Sequence, residues 1–124
     1  RFKWTKTVDP LLDTSPEHYP IWGPGKTTMT PETVGRRQHL RVELQTLHRL
    51  PRSNAIAFPI RCYLARFEEL VTVPKWGRRL HRVVRDIPDE LATYKGFIRN
   101  KPLMLDFLSQ YDDGQPTSPG FWPD

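Results

Sequence analysis

Residues 40–64 constrain the fold more than any other stretch, because two runs of strand-like sequence flank a short turn there. In the first run Leu40, Val42 and Leu44 alternate with Arg41, Glu43 and Gln45, and successive strand side chains point to opposite faces of a sheet. The second run, Ala55 to Leu64, is apolar almost throughout, through Ile56, Phe58, Ile60, Cys62 and Leu64, which is the pattern of a strand covered on both sides. Together they predict antiparallel strands over 40–48 and 56–64, joined through Pro51-Arg52-Ser53-Asn54. The polar row of the first strand is then expected to line something enclosed, where an ionised group has to be paired. Cofactor pockets and structural polar networks both look like this. A four-residue loop sets Glu43 across from Cys62, and one more loop residue sets it across from Arg61. The Arg61 register is the one expected, since it lets two buried charges neutralise each other.

A chain of 124 residues bounds the answer to one domain. Its 37% hydrophobic content supports a modest core, and its 13 prolines lie mostly outside the hairpin. No apolar run approaches the roughly 20 residues of a membrane span, and no signal-peptide pattern is present. The opening Arg1-Phe2-Lys3-Trp4 is already strand-like and reads as part of a longer protein or a processed product. Cys62 is the single cysteine, which excludes an internal disulfide and any multi-cysteine zinc or iron–sulfur site within the chain. The sequence does not indicate a compartment.

A net charge of +5 and a pI near 9.7 raise the question of nucleic acid. On a helix, Arg78, Arg82 and Arg85 share one face while Leu80, Val83, Val84 and Ile87 fall largely on the other. Such a stripe can track phosphates, but neither a zinc finger nor an RNA-binding signature accompanies it. A solvated helix face is the plainer reading. The same face could meet cofactor propionates or an acidic partner.

Elsewhere, Phe2 to Val8 reads as a strand ended by Asp9-Pro10. Residues 13–35 read as loop, with Thr30-Pro31-Glu32-Thr33 opening a short helical turn. Gly23-Pro24-Gly25-Lys26 lacks the spacing of a phosphate loop. Phe67 to Val71 forms a helical turn, and Pro74 opens a helix to about Arg85. A further helix follows Asp86-Ile87-Pro88-Asp89 and stops at Gly96. Pro102 begins a last helix to about Tyr111, with Leu103, Phe107 and Leu108 on one face. Residues 112–124 read as an irregular tail that packs through Phe121 and Trp122.

The run Arg41-Val42-Glu43-Leu44-Gln45-Thr46-Leu47-His48-Arg49-Leu50-Pro51-Arg52-Ser53, with Ala55-Ile56-Ala57-Phe58 and Ile60-Arg61-Cys62-Tyr63-Leu64, resembles the signature of the haem-dependent oxidative N-demethylase alpha-subunit-like family. Pro88 with Glu90, Tyr94-Lys95-Gly96, and Arg1 with Trp4 and Asp9 are similar to its flanking segments. The resemblance covers residues 1–111, against the C-terminal half of the family's domain. It departs at Leu44, where the signature carries Arg, and at Pro59, where it carries Thr; proline removes a ladder N–H and suggests an edge or a bulge.

The resemblance implies an α+β domain, a partial PAS-like antiparallel sheet with C-terminal helices packed on it. It also implies haem, and oxidative demethylation of a small secondary amine by an oxygenase subunit fed by a flavin and iron–sulfur reductase. A missing N-terminal segment or a partner subunit would complete the pocket. In that chemistry a carboxylate holds the substrate ammonium, and arginines serve oxygen activation or anchor propionates. The resemblance implies Glu43 and Arg61 as catalytic residues, and Arg41, Gln45, Arg49 and Arg52 as cofactor contacts. No metal ligand is assigned: His18, His39, His48 and His81 read as surface or interface residues, and Cys62 as a small buried hydrophobe. The alternative is a non-catalytic structural or interaction subunit derived from the same fold.

Overall fold

A computed structural model describes residues 2–8 and 29–115. The first strand, β1 (Phe2–Val8), pairs antiparallel with β2 (Gln38–Gln45), which pairs antiparallel with β5 (Ile60–Arg66). Between β2 and β5 the hairpin carries a two-residue ladder of β3 (His48–Arg49) and β4 (Ile56–Ala57). The helices are α1 (Val34–Arg37), α2 (Phe67–Leu70), α3 (Trp76–Asp86), α4 (Asp89–Tyr94) and α5 (Lys101–Ser109), with a 3₁₀ turn over Ile98–Asn100. The architecture is α+β, a small antiparallel sheet with the C-terminal helices packed against it.

The hairpin corrects the expected register. Glu43 faces Cys62, and Leu44 faces Arg61. Leu50 donates to the carbonyl of Ala55, so the loop is the four residues 51–54. Asn54 closes it at φ 56°, a left-handed conformation that asparagine tolerates better than most side chains. That tight closure decides the register, and side-chain charge has no say in it.

The strands are also interrupted, where the sequence suggested continuity over 40–48 and 56–64. Pro59 stands opposite Thr46; it accepts the Thr46 N–H through its carbonyl but has no N–H to return. No bulge forms, because Glu43↔Cys62 and His48↔Ala57 share one register across the break. β5 is an edge strand. The expectation that it is covered on both sides fails: Ile60, Tyr63 and Leu64 are each more than 40% exposed.

Alternation sorts the sheet into two faces. Trp4, Lys6, Val8, Gln38 and Leu40 lie on the face that meets the helices, where Phe67, Val84, Met104 and Leu108 form the fully buried centre. Lys3, Thr5, Arg41, Glu43, Gln45 and Cys62 lie on the other face.

Helix ends follow local chemistry. The Thr30 N–H donates to Thr33 Oγ1 and the Thr33 and Val34 N–H groups reach the Thr30 carbonyl, so the expected turn continues into α1 through residues 34–35, which the sequence had left as loop. Glu69 accepts the Arg66 N–H at 2.7 Å and caps α2. α3 begins at Trp76, two residues later than Pro74 suggested, because Lys75 sits at φ 69° with its N–H on the Gly114 carbonyl. Gly96, at φ 73°, ends the segment after α4. The expected tail is described only as far as Gln115; Phe121, Trp122 and the glycine-rich stretch 23–26 lie outside the described residues.

Contact between α3 and the end of α5 depends on a glycine. A Cβ on Gly77 would stand 2.6 Å from Tyr111 Cβ and 3.2 Å from its carbonyl oxygen. Gly77→Ala is therefore expected to push the two segments apart and cost about 1–3 kcal/mol, read as a lower urea midpoint with unchanged slope.

Candidate functional site

The polar row of β2 is a chain of contacts along one strand. Arg41 Nε lies 3.0 Å from Glu43 Oε1, and Gln45 Nε2 donates to Glu43 Oε2 at 3.0 Å. Residues two apart in a strand share a face, which lets one carboxylate be held from both sides. The Arg41 side chain is 34% exposed and that of Glu43 19%. The row is thus half-buried and self-paired, rather than enclosed as its pattern suggested. The Arg41 N–H is not aimed at the carboxylate, so the pair is ionic more than hydrogen-bonded. Arg41 Nη2 also reaches Cys62 Sγ at 3.2 Å, and Lys3 is the register partner of Glu43 on β1.

The other predicted residues do not converge on this row. Arg61 is on the opposite sheet face, its guanidinium 5.3 Å from the Tyr63 ring, so the expected Glu43–Arg61 pair is absent. Arg49 and Arg52 are exposed near the hairpin tip; at about 3.3 Å per residue, Arg49 is roughly 20 Å along the strand from Glu43. Cys62 is exposed rather than buried, because β5 is an edge.

Among the histidines, His39 Nδ1 is 3.0 Å from the Arg37 carbonyl and His48 Nε2 is 3.2 Å from Thr46 Oγ1. His81 Nδ1 is 3.2 Å from Asp112 Oδ1, a contact that holds the Asp112 carboxyl below its usual range. His18 lies outside the described residues. The basic stripe of α3 is largely engaged within the chain. Arg78 donates to the carbonyls of Asp112 and Asp113, and Arg85 pairs with Asp86.

Two cavities flank β1. One, of about 270 Å³, is an apolar cleft between the helix-facing side of the sheet and α3, formed by Trp4, Leu40, Val42, Trp76, Leu80 and Val83 with Lys3 and Arg79 beside it. The other, of about 580 Å³, opens at the β1 edge between Glu43, Lys3, Thr5, Tyr94 and Lys95. Lys95 donates to the Trp4 carbonyl at 2.7 Å and lies 4.6 Å from the Trp4 ring, which blunts the exposed strand edge. Sequence reasoning missed Lys3 and Lys95 as site residues. The signal for Lys3 was its place on the alternating strand; for Lys95 it was the Tyr94-Lys95-Gly96 segment of the family resemblance, which assigns it no role.

These residues fit one side of a haem and not the other. Arg41 and Gln45 suit propionate contacts, and Glu43 suits an ammonium. No axial ligand to the iron is shown among the described residues; the lack of a group of three or more His, Cys, Asp or Glu side chains there bears on a metal held by the protein alone, whereas haem iron takes one or two protein donors. His39 and His81 engage Nδ1 and His48 engages Nε2, each with a neighbour in the chain, and the Cys62 sulfur accepts from Arg41. The family described as haem-dependent oxidative N-demethylase, alpha subunit-like, matches residues 1–105.

Proposed function

Because the chain belongs to the haem-dependent oxidative N-demethylase, alpha subunit-like family, we propose that it works in the oxidative N-demethylation of a small secondary amine. In this reading the sheet face bearing Arg41, Glu43 and Gln45 forms one wall of a PAS-like pocket. Haem, when bound, supplies the oxidising chemistry, with electrons from a flavin and iron–sulfur reductase. The iron ligand comes from outside the described residues, from another segment or a partner subunit.

The observation that carries the proposal is the Glu43 carboxylate held between Arg41 and Gln45. Both oxygens are fixed by one contact each, and each keeps a second acceptor direction for an incoming N–H. A secondary ammonium would be bound there by charge and oriented by the fixed oxygens. Arg41 and Gln45 hold the carboxylate still, and Arg41 supplies a positive charge for a propionate. Arg61, Arg49 and Arg52 lie too far from this row for the same contacts, so they serve the surface around the site.

Formaldehyde release tests the proposal. The purified protein, supplied with dioxygen, reductant, its reductase and dimethylamine, is expected to form one formaldehyde and one methylamine per dimethylamine and dioxygen consumed, with two reductant electrons and two protons leaving as water with the second oxygen atom. Reductant-independent release would overturn the reductase-fed oxygenase reading, and no release with haem bound would leave a non-catalytic role for this fold.

A further inference from the structure

We infer that the cavity at the β1 edge binds a small amino-carboxylate zwitterion, and hence that the amine substrate is an N-methylated amino acid. The inference rests on the reading of Glu43 as the ammonium holder.

The cavity joins both signs of charge. Glu43 stands on one side, while Lys3, Lys95, Thr5 and Tyr94 form the rest. Register places Lys3 directly across from Glu43. Cross-strand partners have Cβ atoms about 5 Å apart, which is the scale separating the ammonium and carboxylate of an α-amino acid with one contact at each end. Lys95 is a fixed cation: one N–H of its ammonium is committed to the Trp4 carbonyl, which leaves two donors. Its position costs little ordering when an anion arrives.

The charge count separates a zwitterion from a bare amine. Arg41 already balances Glu43, so Lys3 and Lys95 leave the cavity with a surplus of positive charge. A simple alkylammonium would enter against that field. An amino acid brings a carboxylate that answers it, while its ammonium takes the remaining acceptor directions of Glu43.

Calorimetric titration of the purified protein with N-methylglycine, dimethylamine and acetate tests this. N-methylglycine is expected to bind most tightly. Lys3→Met should weaken it by about tenfold, the effect of removing one charge-assisted contact, and should strengthen dimethylamine binding, since one opposing positive charge is gone. Lys3 is exposed, so the variant is expected to fold normally. Dimethylamine binding as tightly as N-methylglycine would overturn the zwitterion while leaving Glu43 as an amine site. Acetate binding as tightly, with no effect of Glu43→Gln, would overturn both and leave an anion site. Absence of N-methylglycine binding would overturn the inference outright.

Discussion

Glu43→Gln is expected to lower kcat/KM for the amine by about 100-fold or more, the cost of losing an ionic hydrogen bond in a half-buried site. Glutamine matches glutamate in size and keeps an acceptor for Gln45 or Arg41, so the sheet face should hold its shape. It lacks the charge that binds an alkylammonium. Because that charge acts on bound substrate as well as on the transition state, the loss should appear largely as a raised KM. Haem content should stay near that of the unaltered protein, since Arg41 remains for its contact. A structural role would instead lower the thermal midpoint with KM intact. Unaltered turnover would remove Glu43 from the account.

The second large effect is on stability. Lys6 is 7% exposed, with its Nζ 3.1 Å from the Phe97 ring centroid and 3.3 Å from Met104 Sδ. Burial, and then the charges of Lys101 and Lys95, lower its pKa from 10.5 to about 6. The Phe97 ring face favours the charged form, but the thioether is a weak acceptor and the loss of water outweighs both. At neutral pH the folded chain therefore holds Lys6 unprotonated, whereas the unfolded chain binds the proton. Between about pH 6 and 10.5 the unfolded state carries more protons, so stability rises with pH, by up to about 1.4 kcal/mol per pH unit. Below about pH 6 this contribution is at its most unfavourable and flat. Lys6→Met fits the apolar surroundings and removes the penalty. It should stabilise the fold at pH 7 by a few kcal/mol, raise the melting midpoint by roughly 10 °C or more, and flatten the alkaline rise. A destabilised variant, or a pH slope that survives the change, would show that Lys6 is charged and paired in the folded chain.

Much of this molecule was legible where local chemistry decides. The strand at Phe2–Val8, the turn after Thr30, the stop at Gly96 and the helix begun near Pro102 follow from alternation, hydroxyl capping, left-handed glycine and proline placement. The polar row of β2 was legible too, but its pairing along the strand was not, because Arg61 was the expected partner of Glu43. What failed were inferences from charge alone. Pairing Glu43 with Arg61 assumed that ions choose a register, whereas the Asn54 turn chose it. An apolar second strand implied double cover, yet β5 lies at an edge. Lys6 was not singled out from the sequence, although Phe2, Trp4, Lys6 and Val8 share a strand face and alternation carries that lysine inward. Arg49, Arg52 and Arg61 fell within a family signature, and signatures do not say which strand face or hairpin end a residue occupies.

The central claim is that this chain belongs to a working haem site, and the visible absorption spectrum of the protein purified in its native complex tests it most directly. The account predicts a Soret band stoichiometric with this chain, shifted when dimethylamine or N-methylglycine is added and unshifted by either in the Glu43→Gln variant. A complex without a Soret band would contradict it and leave the sheet as a structural surface.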